Sequence, residues 1–198
     1  MKTYFIADTH FGHTNIIKYC NRPFSNVEEM NEELIKYWNS VVNEDDIVYH
    51  LGDFAFKNSD ITNLVSKLNG KIYLIRGNHD GKSINYYNTH GLEVIPTRTL
   101  IEDKKIILSH RPIPDRDIPV GFINVHGHIH NKPLEDEGFS KELHKCVSVE
   151  VIDYKPIEVW FSKTFLLMII VRCFWIVIKP RYNQYLKYSY NILGDIHG

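Results

Sequence analysis

Five short runs of apolar, β-forming residues in this chain each end in aspartate, asparagine or histidine. Lys2-Thr3-Tyr4-Phe5-Ile6 leads through Ala7 to Asp8-Thr9-His10, and Ile47-Val48-Tyr49 leads through His50 and Leu51 to Gly52-Asp53. Residues 71–76 lead to Gly77-Asn78-His79-Asp80, Ile106-Ile107-Leu108 leads to Ser109-His110, and residues 122–125 lead to His126-Gly127-His128-Ile129-His130. One polar residue at a strand end is ordinary turn chemistry. Five such placements of metal-ligating types restrict the chain to folds that gather strand ends, because ligands of α/β sheets bind beyond the carboxyl ends of strands.

The segments between these runs set the architecture. Strand, helix and strand alternate over residues 2–76, which predicts βαβ units. Ser25-Asn26-Val27-Glu28 reads as a capping box. Val27, Met30, Leu34, Trp38 and Val41 then recur at helical spacing, so a helix over 27–41 buries one stripe, with Glu28, Glu29, Glu32 and Glu33 solvated. Glu44-Asp45-Asp46 reads as a solvated acidic turn, and Phe11–Asn15 as a loop. Ser59 or Asp60 opens a second helix with Ile61, Leu64, Val65 and Leu68, and Ser83–His90 forms a third, short one. From Leu92 onward short strands with tight connections predict a second, largely antiparallel sheet, finished by a hairpin around Asp153-Tyr154.

A chain of 198 residues has room for one domain with a sizeable core. A net charge of −1 gives no general electrostatic case for nucleic acid, and no clear basic track stands out. Cys20, Cys146 and Cys173 are far apart and form no CxxC, which argues against a disulfide framework or a cysteine-rich zinc site and fits a reducing cytoplasm. The N-terminus enters the first strand directly, so no signal peptide is expected. The apolar run Phe165–Ile178, interrupted by Arg172, falls short of the roughly 20 residues of a membrane span. The domain division expected is therefore 1–164 and an apolar, tyrosine-rich tail over 165–198.

Asp8, His10, Asp53, Asn78, His110, His128 and His130 are more ligand candidates than one four- or five-coordinate ion uses. Two divalent ions are the simplest explanation, and an imidazole-rich set favours Mn, Fe or Zn over Mg. His79 is placed to act as a general acid oriented by Asp80. His13 and Asn15 are candidates for facing the substrate, with hydrogen bonding inside their loop as the competing reading. Arg22 is a candidate for holding a phosphate oxygen through its fork of donors, against an ordinary surface arginine.

Taken together, Asp8-x-His10, Gly52-Asp53, Gly77-Asn78-His79-Asp80, His110 and Gly127-His128-x-His130 resemble the calcineurin-like metallophosphoesterase superfamily. All five motifs stand in the family's order, over roughly residues 1–160. Asp8-Thr9-His10-Phe11-Gly12-His13 with Asn21-Arg22-Pro23-Phe24 resembles its compact bacterial and phage branch. The resemblance implies a four-layer α/β/β/α sandwich of two mixed sheets flanked by helices. It implies that Asp8, His10, Asp53 and His130 hold one metal and that Asp53, Asn78, His110 and His128 hold the other. It also implies attack by a metal-bridging hydroxide on a phosphoester, with His79 assisting the leaving oxygen; the small chain shows no obvious large cap domain, which favours a small phosphoester substrate such as a nucleotide. A phosphodiester is the expected substrate; a phosphomonoesterase, a nuclease, a non-catalytic metal-binding scaffold and a membrane-surface protein anchored by residues 165–178 are the alternatives.

Overall fold

Two four-stranded sheets and four short helices build the computed structural model, which describes residues 1–56, 60–134 and 137–159. The expectations for Ser59, for the end of the predicted hairpin at Trp160 and for the tail over 165–198 lie outside the described residues. In the first sheet β1 (Thr3–Ile6), β2 (Ile47–His50), β3 (Lys71–Leu74) and β4 (Leu92–Val94) are all parallel and lie in sequence order. Helices α1 (Thr14–Tyr19) and α2 (Val27–Asn39) connect β1 to β2, α3 (Ile61–Val65) connects β2 to β3, and α4 (Ile84–Thr89) connects β3 to β4. No helix of the described residues is long and apolar enough to cross a membrane.

The second sheet runs β5 (Arg98–Ile101), β6 (Ile106–Ser109), β7 (Ile123–His126) and β8 (His144–Cys146). Only β5–β6 is antiparallel; β6–β7 and β7–β8 are parallel. The expectation of a largely antiparallel sheet is therefore corrected. The reason is the loop Arg111–Phe122, which carries Ile113 and Ile118 back over the sheet onto Ile107 and returns the chain to start β7 in the same direction. The final hairpin is also absent. After β8 the chain turns through a 3₁₀ segment at Val149–Val151, and Ile157 pairs instead with Phe5 of β1.

Register explains why the loops meet. Ile6, His50 and Leu74 are partners across the first sheet, and Ser109, His126 and Cys146 are partners across the second. The chain leaves each sheet at one level, so the following loops emerge side by side. The sheets are joined there: Ala7 donates its N–H to Val147 O at 2.8 Å and accepts from Val149 N at 3.1 Å. This also pairs the edge of β1, which would otherwise stay open.

Local rules place the helices with small shifts. Asn26, rather than Ser25, caps α2 by accepting from Glu29 N at 2.8 Å, while Glu29 reaches back to Ser25 N at 2.7 Å. Met30, Leu34 and Trp38 form the buried stripe, and Val42 rather than Val41 continues it. Asp60 and Ser83 cap α3 and α4. Thr14 and Asn15, expected as the end of a loop, instead open α1, whose Ile16 turns into the core. Asp46 is not solvated but buried; its carboxylate accepts from Lys2 N at 2.6 Å and Asn43 N at 2.9 Å, tying the start of β1 to the turn before β2.

Candidate metal centre

The loops beyond β1, β2, β3, β6 and β7 bring the expected ligand residues together in two groups. Asp8, His10 and His130 offer ligand atoms within 4.8 Å of one another, and so do Asp53, His110 and His128. The groups meet at Asp53, whose Oδ2 lies 3.6 Å from His10 Nε2 and 3.6 Å from His110 Nε2. Asn78 joins the second group, with Oδ1 3.1 Å from His110 Nε2. One carboxylate oxygen thus stands between both sets of imidazoles.

The backbone is bent to achieve this. Asp8, His10, Asp53, His128 and His130 all have φ between 50° and 71°. Such conformations cost about 1–3 kcal/mol each in non-glycine residues and persist where the surroundings over-determine them. Here they do: Asp8 N donates to Gly52 O at 2.9 Å, His10 N to Asp53 O at 3.0 Å and His128 N to Asp8 Oδ2 at 2.8 Å. Gly127 allows the approach of the β7 loop, since a Cβ there would collide with Ala7 and with the Asp8 carboxylate.

Hydrogen bonds select which ring nitrogens are bare. His110 donates Nδ1–H to Leu51 O at 2.8 Å, so its Nε2 carries a lone pair toward Asp53 and Asn78. His130 donates Nδ1–H to Glu150 at 3.0 Å, leaving its Nε2 as the donor atom. Such outer partners set tautomer and raise ligand basicity. Of the four buried side-chain polar atoms without a partner among the described residues, three are Asp8 Oδ1 and both ring nitrogens of His10. Each such atom costs about 1–3 kcal/mol if left unsatisfied. Burial, with the charge of Arg22, holds His10 neutral far below its usual titration range, as a ligand requires. Burial also pushes Asp8 up to about 6. These orphaned, converging lone pairs fit divalent cations.

Asp80, expected to orient His79, does something else. Its carboxylate accepts from Asp53 N at 2.7 Å, Phe54 N at 3.1 Å and Gly77 N at 2.8 Å, and no hydrogen bond joins it to the His79 ring. Asp80 therefore locks the Asp53 loop to the Gly77 loop. His79 itself is exposed, with its ring 5.1 Å from the His10 ring, and its backbone N–H donates to Asp53 Oδ1 at 2.8 Å. His13 is buried beside it, ring centroids 6.0 Å apart, whereas Asn15 lies exposed on α1 and falls in neither ligand group.

The expectation for Arg22 is corrected. Its guanidinium is fully buried, held by Glu150 at 2.7 and 2.9 Å, by Thr9 O at 2.8 Å and by Asp8 O at 2.6 Å. No face is left for a phosphate; it fixes the Asp8 loop. Glu150 and Ser148, which donates to Asp8 Oδ2 at 2.6 Å, were not legible as site residues. No motif marks them; only the register of Cys146 with His126 brings their turn to the site. His50 also went unread. It donates Nε2–H to Thr9 Oγ1 at 2.9 Å and accepts from Gly52 N at 3.3 Å, while Thr9 donates to Phe54 O at 2.6 Å. Burial pushes it down to about 3, so it stays neutral in that chain. Cys20 and Glu150 also converge on His130, but Glu150 is already bound by Arg22, so this group supports His130 rather than forming a third centre.

A model of calcineurin-like phosphoesterases matches residues 1–177. An uncharacterized protein of Methanocaldococcus jannaschii is 44% identical over 164 residues, covering 79% of this chain and 86% of that protein. The gene 66 protein of Mycobacterium phage L5 is 37% identical over 83 residues, 40% of each chain. A crystal structure of a protein of unknown function from Aquifex aeolicus aligns with a TM-score of 0.61 and 26% identity, covering 79% of this chain and 95% of that one.

Proposed function

The chain belongs to the calcineurin-like phosphoesterase family, and from that premise we propose that it is a two-metal phosphodiesterase. The observation that carries this reading is Asp53 Oδ2, 3.6 Å from His10 Nε2 on one side and 3.6 Å from His110 Nε2 on the other. Asp8, His10, His130 and Asp53 would hold one divalent ion; Asp53, Asn78, His110 and His128 would hold the other. Such ions offset charge on phosphate oxygens and acidify water. Mn, Fe or Zn suits this imidazole-rich set better than Mg.

The chain's own groups supply the rest. Asp80 and Arg22 hold the Asp53 and Asp8 loops still, so the ligand atoms need no rearrangement. His79 stands exposed beside His10 and supplies a proton to the leaving oxygen as water adds to phosphorus and the P–O bond breaks. His13, packed against His79 and Phe56, limits where that ring can swing. Two clefts adjoin the site, one of about 280 Å³ beside His79 and one of about 450 Å³ beside Asn78 and His110. A diester, with two substituents on phosphorus, uses both; a monoester uses one.

The test is hydrolysis of bis-p-nitrophenyl phosphate beside p-nitrophenyl phosphate by metal-stripped protein with Mn, Zn, Fe or Mg restored. Metal-dependent turnover favouring the diester, lost in Asp53→Asn, is the expected result. Faster turnover of the monoester would replace the diesterase reading, and no turnover with any metal would remove the enzymatic one.

A further inference from the structure

The cleft beside Asn78 and His110 carries three arginines and no carboxylate: Arg76 from the β3 loop, Arg98 from β5 and Arg111 from the β6 loop. Three separate segments of chain deliver cations to one wall-to-wall cleft that shares Asn78 and His110 with the metal centre. Its other walls are short and rigid, with Pro112 and Ile113, the latter buried on Ile107.

These guanidiniums are lightly committed. Arg111 is exposed and forms no ion pair among the described residues; its backbone O accepts from Ser109 Oγ at 2.6 Å, which fixes the loop rather than the side chain. Arg98 faces Asp117 at 3.6 Å, beyond good hydrogen-bond length, with both side chains more than a third exposed. Arg76 uses one nitrogen, Nη1, on Lys82 O at 3.0 Å. Guanidinium forks match phosphate oxygens bidentately. Arg22, by contrast, is buried and saturated, so among the described residues the arginines lining a cleft beside the candidate metal centre are those of this cleft.

We propose that the Arg76–Arg98–Arg111 cleft binds a second phosphate group of the substrate, adjacent to the phosphate that is hydrolysed. This rests on the phosphoesterase reading of the neighbouring centre and narrows its substrate class to esters with at least two phosphates. Two sources share this chemistry: a short 5′-phosphorylated oligonucleotide and a nucleoside diphosphate ester. Arg76, Arg98 and Arg111 are spread over 36 positions of sequence and come together through the β5–β6 pairing and the β3 loop.

The experiment compares kcat/KM for three substrates of the Mn-loaded full chain: bis-p-nitrophenyl phosphate, the dinucleotide pdTpdT and UDP-glucose. Wild type, Arg98→Gln, Arg111→Gln and Arg111→Lys are used, each checked for folding by its thermal midpoint. The readout is the ratio of each two-phosphate substrate to bis-p-nitrophenyl phosphate. The expected result is a wild-type ratio raised for at least one of the two, falling about 10-fold or more in the Gln variants and partly restored by Lys. Preference for pdTpdT assigns the oligonucleotide source, and preference for UDP-glucose the nucleoside diphosphate. Turnover of bis-p-nitrophenyl phosphate with ratios that Arg98→Gln and Arg111→Gln leave unchanged overturns the proposal while leaving the phosphoesterase reading intact. If no ester is hydrolysed, that reading fails, and equilibrium binding of pdTpdT and UDP-glucose to the same proteins decides the cleft: binding weakened in both Gln variants supports it, and binding that is absent or unaffected overturns it.

Discussion

Glu150 accepts the Nδ1–H of His130 at 3.0 Å and, with the same oxygen, holds Arg22 Nη2 at 2.7 Å. One carboxylate thereby orients a candidate metal ligand and neutralises the arginine that pins the Asp8 loop. Burial opposes charge on Glu150, but His130 and Arg22 hold its carboxyl below the usual range.

Glu150→Gln therefore acts twice. Loss of an outer partner of a metal-bound histidine typically lowers metal affinity about 10–100-fold. Removing one member of a buried ion pair leaves Arg22 uncompensated and costs roughly 3–5 kcal/mol. Metal titration and urea unfolding in chelator should show both losses; loss of one without the other would separate the two roles.

The metal-free centre predicts a pH dependence of opposite sign for stability and for metal affinity. Burial works against charge on His130, but hydrogen bonds with Cys20 and Glu150 and the charge of Asp8 outweigh it and push it up from 6.5 to about 10. Because the folded value is raised, its contribution to metal-free stability is fully present below pH 6.5 and is lost as pH rises through about 10. A metal needs that ring neutral, so binding expels a proton and affinity rises about tenfold per pH unit between neutrality and pH 10. Calorimetry in buffers of different ionisation enthalpy at pH 8 should report about one proton released per chain at this ligand.

Gly127→Ala tests the close approach of the two sheets. The new Cβ would fall against Ala7 and 2.5 Å from Asp8 Oδ2, backbone-anchored neighbours with little room to yield. Overpacking of this kind costs roughly 1–3 kcal/mol. Here it also displaces a ligand, so metal affinity should fall together with the unfolding midpoint.

Asp46→Ala is the counterpart away from the site. It strips Lys2 N and Asn43 N of their acceptor, which should cost about 1–3 kcal/mol in stability. Metal affinity at pH 7 should stay within about twofold, since Asp46 lies at the amino end of β2 and the ligands lie at its carboxyl end. A large drop in affinity would mean the sheet transmits strain from one end to the other.

What the sequence disclosed followed from locality. Asp8, His10, Asp53, Asn78, His110, His128 and His130 each stand within about five residues of the end of an apolar run, so bringing them together needs only the rule that parallel strands gather ligands beyond their carboxyl ends. The caps at Asn26, Asp60 and Ser83 are local too, to within a residue. What stayed hidden depends on long-range pairing. The direction of β7 relative to β6 is set by how Ile113 and Ile118 fold back on Ile107. Glu150 and Ser148 reach the centre through the Cys146–His126 register and the Ala7–Ser148 bridge, 141 positions apart in the chain. Arg22 read equally as a phosphate hook or a surface arginine, because an arginine in a loop says nothing of a carboxylate 128 positions away.

The bridging role proposed for Asp53 is tested most directly by counting metal. Chelator-stripped wild type and Asp53→Asn are each loaded with Mn, freed of excess ion and measured for metal per folded chain. Two ions per wild-type chain, with both sites weakened together in Asp53→Asn, are predicted from the position of Oδ2 between His10 and His110. No bound metal in the wild type, or two ions held as tightly by Asp53→Asn, would contradict a centre shared through Asp53.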